Sequence, residues 1–256
     1  MTEIEQVEWE LAWELYDRAT NILQQGDLIR LKQEELPSIY GIVVTADCDL
    51  DKRKHSRLVT VVPFITLEEV ICKCLAFDLF EQKSEELRAQ CKTLLQLSQN
   101  PADASFIGGV KAFVREGIYA SRKQEVLAKV VAHELSEIGM EDLKDIISLL
   151  GMSWSKTVDK FKQQVGSRGD LLLLTKPPLV SETPRVAWLR AIRQLPIADI
   201  SLKTSESSGN RWQRVAQLKS PFRYRLTQML GSVFADVGLP DMPKSSFESE
   251  FSLLVG

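Results

Sequence analysis

The spacing of apolar and polar positions changes twice along this chain and divides it into three stretches. From Ile4 to Gln24 the apolar residues Trp9, Leu11, Ala12, Trp13, Leu15 and Tyr16 form a broad helical stripe, so an amphipathic helix is predicted there, closed by Gly26. A strand block follows. Asp27–Leu31 is short and apolar-rich. Ile39–Thr45 (IYGIVVT) and Ser56–Phe64 (SRLVTVVPF) are β-branched and buried in character, with the polar loop Asp47–His55 between them.

At Thr66 the period becomes helical. Thr66 stands as N-cap with Glu69 three residues on, the spacing of a capping box. The helical pattern then runs to about Val165, with breaks expected at Ser98–Pro101, Gly108–Gly109, Gly139 and Gly151. After Gly169 strands return, at Leu171–Leu174, Arg185–Leu195 and Trp212–Leu218. Ser220-Pro221 opens a last helix to Val237, and Gly238-Leu239-Pro240 stops it. The residues after Asp241 read as a mobile tail. The expected class is α+β: two small β units, drawn as SH3-like barrels, flank a central helical block. The divisions fall at 1–65, 66–166 and 167–256. Gly26-Asp27-Leu28 and Gly169-Asp170-Leu171 each open a strand set, which hints at a duplication; such a pair is also a common turn before a strand.

Composition narrows the setting. The chain has 256 residues and a net charge of −3, so the whole molecule is no polyanion binder by charge alone. No apolar run reaches the roughly 20 residues of a membrane span. The start is acidic, unlike the basic start of a secretory signal. A cytoplasmic protein with four reduced cysteines (Cys48, Cys72, Cys74 and Cys91) is expected.

The most distinctive polar segment is Thr45-Ala46-Asp47-Cys48-Asp49-Leu50, at the end of a strand, with His55 seven residues after Cys48. Three readings compete for it. Cys48 is a nucleophile with His55 as base, although flanking carboxylates disfavour a thiolate. Asp47 and Asp49 hold a divalent metal, although two carboxylates make a thin site. Or the aspartates brace a turn while Cys48 packs in the core, the reading the sequence favours. His133-Glu134 starts like a zinc-protease helix, but Glu137 stands where the second histidine belongs. In Cys72-x-Cys74 a helix sends the thiols to different faces, so core packing is expected for one of them. There is no phosphate loop, dinucleotide fingerprint or nucleophile elbow, and no cofactor is expected.

Charge is segregated. Between Arg185 and Arg225 nine basic residues (Arg185, Arg190, Arg193, Lys203, Arg211, Arg214, Lys219, Arg223 and Arg225) face two acidic ones, Asp199 and Glu206, with Trp188, Trp212, Phe222 and Tyr224 interleaved. Arginine among aromatics suits a protein-partner face or a nucleic-acid surface. Pairing with acidic groups of the fold, such as those of the N-terminal segment, is the third reading.

Two segments carry a resemblance. Gly41–Leu50 (GIVVTADCDL) resembles the (S/T)QxCDL strand-and-turn of a poorly characterised group of bacterial proteins, with Ala46 where the group often has a polar residue. Lys219–Pro240 (KSPFRYRLTQMLGSVFADVGLP) resembles the closing SPFRExLxQxFxxxxxxVGLP element of the same group. The resemblance implies an accessory protein of multi-gene systems, some acting against phages, with ATPase neighbours. It carries no catalytic residue over to Asp47, Cys48 or Asp49. The sequence therefore points first to a non-enzymatic adaptor docking a protein partner, then to a nucleic-acid-binding protein. A metal-dependent enzyme centred on Asp47, Asp49 and His55 comes last.

Overall fold

The computed structural model describes residues 12–14, 22–31, 39–52, 57–97, 100–177, 186–202 and 211–235. The fold is α+β. In chain order come β1 (Trp13–Glu14), β2 (Asp27–Leu31), β3 (Ile39–Val43), α1 (Asp47–Asp51) and β4 (Leu58–Ile65). The helical block follows: α2 (Leu67–Val70), a π-helical turn (Ile71–Leu75), α3 (Ala76–Gln82), α4 (Ser84–Leu95), α5 (Ala104–Glu116), α6 (Arg122–Val131), α7 (Met140–Leu149) and α8 (Trp154–Ser167). Then come β5 (Leu171–Leu173), β6 (Val186–Trp188), β7 (Arg193–Pro196), β8 (Ile200–Ser201), β9 (Trp212–Leu218) and α9 (Ser220–Ala235).

The strands do not form two units. All nine belong to one sheet in the order β1-β9-β2-β3-β4-β6-β5, with β7 also on β4 and β8 on β9. The pairings are antiparallel except β8 with β9, and β9 threads between β1 and β2. The sheet is not closed into an SH3-like barrel. It does curl, because the Trp13 indole N–H on one end strand donates to the Thr175 carbonyl just beyond the other, at 2.7 Å.

The alternation of strand residues explains why these runs read as buried. Leu28, Tyr40, Ile42, Val62 and Phe64 face α9 and pack with its Leu226 and Val233. Their neighbours Ile29, Val43, Val59 and Val61 face the other way, against Leu23, Leu50 and Ile200. Both faces are covered, so the pattern is nearly continuous. A third and larger core fills the helical block and reaches the sheet at Ile65, Leu171 and Val186.

Local signals place the helices. Thr66 Oγ1 accepts from the Glu69 amide at 3.1 Å and Glu69 Oε2 from the Thr66 amide at 2.9 Å, the expected capping box. Gly151, at φ +67°, ends α7 in a Schellman turn, with the Met152 amide on the Ile147 carbonyl. His133 (φ 57°) and Gln96 (φ 52°) do the same work after α6 and α4 without being glycine.

Several expectations need correction. Trp13 and Glu14 lie in a strand, not a helix, because Trp13 is buried against Phe64 and its backbone pairs with Leu218. Ile4–Leu11, Leu15–Asn21 and the residues after Ala235 lie outside the described residues. Gly108–Gly109 does not break α5, since Phe106 and Val110 anchor it in the core. Cys72 and Cys74 are both buried, because their helix is covered on two sides: Ile138 donates its amide to the Cys72 carbonyl, and Cys74 lies toward Arg168.

Candidate functional site

The aspartate turn is bound into the fold residue by residue. Thr45 Oγ1 accepts from the Thr60 amide at 2.7 Å and so extends the β3–β4 ladder by one side-chain bond. The chain then turns into α1, which buries Leu50 against Ile29 and Val43. Asp47 Oδ1 accepts from the Gln25 amide at 2.6 Å, and Asp47 Oδ2 lies 3.8 Å from Arg223 Nη1. Cys48 is exposed, not packed in the core, with its thiol 3.8 Å from Asp49 Oδ1. The Cys48 reading fails on a geometric ground: in a five-residue helix just outside the sheet, only Leu50 turns inward. His55 lies outside the described residues. Among the described residues no three His, Cys, Asp or Glu side chains stand together as metal ligands.

The basic region does not form one surface. Arg214 is 1 % exposed and cannot meet a partner. Its position comes from a β-bulge: Ala216 pairs with Leu28 but Arg214 pairs with the next residue, Ile29, so Val215 is the extra residue on β9. That step turns Arg214 from the α9 side to the face that carries Asp27. Arg214 Nη1 donates to the Ile22 carbonyl at 3.0 Å and to Asp27 Oδ2 at 3.4 Å. Asp27 also accepts the Gln24 amide at 2.8 Å. Burial outweighs these contacts and lifts the Asp27 carboxyl to about 6.

Other arginines are also engaged. Arg190 Nε donates to Asp170 Oδ2 at 3.1 Å, and Arg168 grips both oxygens of the same carboxylate at 2.8 and 2.9 Å. Hydrogen bonds from the Arg168 guanidinium outweigh burial, which acts the other way, and hold the Asp170 carboxyl below its usual range. Arg223 donates to the Gln25 carbonyl at 3.4 Å and lies against Gly26, whose positive φ and crowded α-carbon leave no room for a larger residue. Of the aromatics, Trp188, Trp212 and Phe222 pack against the three cores, and Tyr224 alone of the four is largely exposed, at 67 %. Arg190 is exposed while bound to Asp170; the exposed basic residues without a carboxylate partner among the described residues are Arg193, Arg211 and Arg225, with Lys219 half-buried, and Arg185 and Lys203 lie outside the described residues.

Arg225 stands at the rim of the feature that sequence reading missed. A cleft of about 900 Å³ opens between β5 and α9. Leu171, Leu172, Leu173 and Leu174 line it, with Val165 and Leu67 on one side and Met229, Gln228 and Ser232 on the other. A surface that touches four consecutive strand residues meets the edge of the strand, since alternate side chains point to opposite faces. Accordingly Leu172 and Leu174 pack toward α9 while Leu171 packs toward the helical block. The Leu171–Leu174 run was a visible signal, but only the sheet order makes it an end strand. Among the described residues no helix is long and apolar enough to cross a membrane. Comparison with protein families, with curated proteins and with solved structures finds no match for this chain.

Proposed function

We propose that this chain is a non-enzymatic accessory protein of a bacterial multi-gene system, of the kind that acts against phages, and that it works in the cytoplasm by docking a protein partner. An ATPase neighbour is the partner to which the motif resemblance points. The observation that carries the docking reading is the leucine-lined cleft beside Arg225. An apolar hollow whose two cationic groups are Arg168, already held by Asp170 and Asp78, and the exposed Arg225 suits protein side chains better than phosphates. A nucleic-acid face needs a continuous run of free cations and exposed rings. Here Arg214 is buried, Arg190 and Arg223 lie on carboxylates, and three of the four aromatics are half-buried against the cores.

The test is affinity purification from the native host, with and without nuclease, on the wild type and on the triple variant Arg193→Glu, Arg211→Glu, Arg225→Glu. Arg214 is left intact because reversing it would unfold the chain. A nuclease-resistant protein partner that the triple variant loses is the expected result. Co-purified nucleic acid alone, or a complex indifferent to all three charges, would overturn the reading.

A further inference from the structure

We infer that the cleft receives an extended segment of the partner as an added β-strand on β5, a mode of docking that rests on the protein-docking reading above. The direction of the backbone groups of β5 carries the inference. Leu189 donates its amide to the Asp170 carbonyl at 2.9 Å, and the register pairs Leu171 with Trp188, Leu172 with Ala187 and Leu173 with Val186. In an antiparallel pair, hydrogen-bonded and non-bonded positions alternate. Leu172 therefore spends its amide and carbonyl on β6. Leu171 and Leu173 turn theirs outward, into the cleft. Among the described residues no strand pairs with that edge.

An open strand edge recruits another strand unless something blunts it. Here nothing charged or proline sits within β5 itself, and the side chain of Leu173 is 50 % exposed. The two walls limit what enters. Val165 and Leu67 stand on one side of the slot and Met229, with Gln228, Ser232 and Arg225, on the other, so an incoming strand meets apolar surface on one face and a mixed surface on the other. The occupant is then a short run rich in β-branched residues, apolar where it faces Val165 and Leu67 and mixed where it faces α9. Arg225 is exposed, with only a 3.5 Å contact to Gln228 among the described residues, and it supplies the charge. The segment carries an aspartate or glutamate next to its apolar run, placed to meet that guanidinium. This is strand addition, in which backbone bonds give affinity and side-chain pockets give selectivity.

The test uses the full-length chain and a displayed library of random peptides about twelve residues long, enough to exceed the strand on both sides. Binders selected on the wild type are measured against Leu173→Pro and Arg225→Glu. Proline is tolerated on a strand edge where its missing N–H faced outward, so Leu173→Pro removes one docking donor and leaves the β6 ladder intact. Thermal melting confirms that this variant folds. Expected are apolar, acid-flanked peptides that lose at least about tenfold in affinity with either variant. They should also slow hydrogen exchange at the Leu171 and Leu173 amides of the wild type. Peptides that bind Leu173→Pro as well as wild type, with no exchange protection, overturn strand addition while leaving protein docking standing. A library without binders, together with self-association of the wild type that Leu173→Pro abolishes, assigns the slot to a second copy of the chain and overturns the partner segment.

Discussion

Asp27 and Arg214 form an ion pair sealed inside the protein, 3.4 Å apart and 0 % and 1 % exposed, between residues 187 positions distant in the sequence. The pair ties the start of β2 to β9. One carboxylate oxygen, Asp27 Oδ1, has no hydrogen-bond partner among the described residues. A pair of this kind is expensive to break from one side and cheap to replace from both.

Arg214→Met alone leaves a buried carboxylate without its cation and should destabilise the fold by about 3–5 kcal/mol. Asp27→Asn added to it should recover most of that loss. A double-mutant cycle in urea checks the prediction, and equal losses from the single and the double variant would contradict it.

Burial of the Asp27 carboxyl, which outweighs its pairing with Arg214, sets a pH dependence of unusual sign for an aspartate. Its folded carboxyl titrates at about 6, above the ordinary 3.8, so the folded chain holds this proton more tightly than the unfolded one. The Asp27 contribution to stability is therefore complete at low pH and is lost as pH rises from about 4 to about 6. Asp170 has the opposite shift; its contribution is present at neutral pH and is lost as pH falls below about 4. Between pH 7 and pH 5 the wild type should gain stability relative to Asp27→Asn, measured as the shift in urea midpoint.

Thiol chemistry should separate Cys48 from the other cysteines. Cys72, Cys74 and Cys91 are buried, and burial pushes the Cys91 thiol up to about 12. The native chain should react with an aromatic disulfide reagent at one thiol, and Cys48→Ser should abolish that reaction. Rapid labelling of a second thiol in the native state would mean that the helical block opens.

The ends of α4 and α6 carry avoidable strain. Gln96 and His133 hold positive φ at positions where glycine is the usual choice. Gln96→Gly and His133→Gly should each leave the fold unchanged and raise its stability by up to about 1 kcal/mol, read from thermal melting.

Local chemistry was legible in the sequence and long-range pairing was not. The Thr66–Glu69 box, the Gly151 stop and the strand runs 27–31, 58–65 and 212–218 follow from nearest neighbours, and the structure has them. The single sheet was hidden because β9 pairs with residues from the far end of the chain, and no period in either segment announces its partner. Trp13 misled for a related reason. Its apolar neighbours fit a helix, but its place is decided by Leu218, Phe64 and Thr175. Arg214 was read as surface because charged residues seldom lie inside a fold. Only the extra residue at Val215 turns it inward. The cleft beside β5 shares this origin: four leucines in a row look like core until the sheet order shows that they form its last strand.

The insertion of β9 between β1 and β2 also has a consequence during synthesis. β2 leaves the ribosome long before residues 212–218, which must supply its second neighbour. Until they emerge, a nascent chain has no route to the finished sheet, and its β2 edge lies open to other strands. The order of this sheet therefore postpones its completion until residues 212–218 have been made, a long-range closure that slows folding.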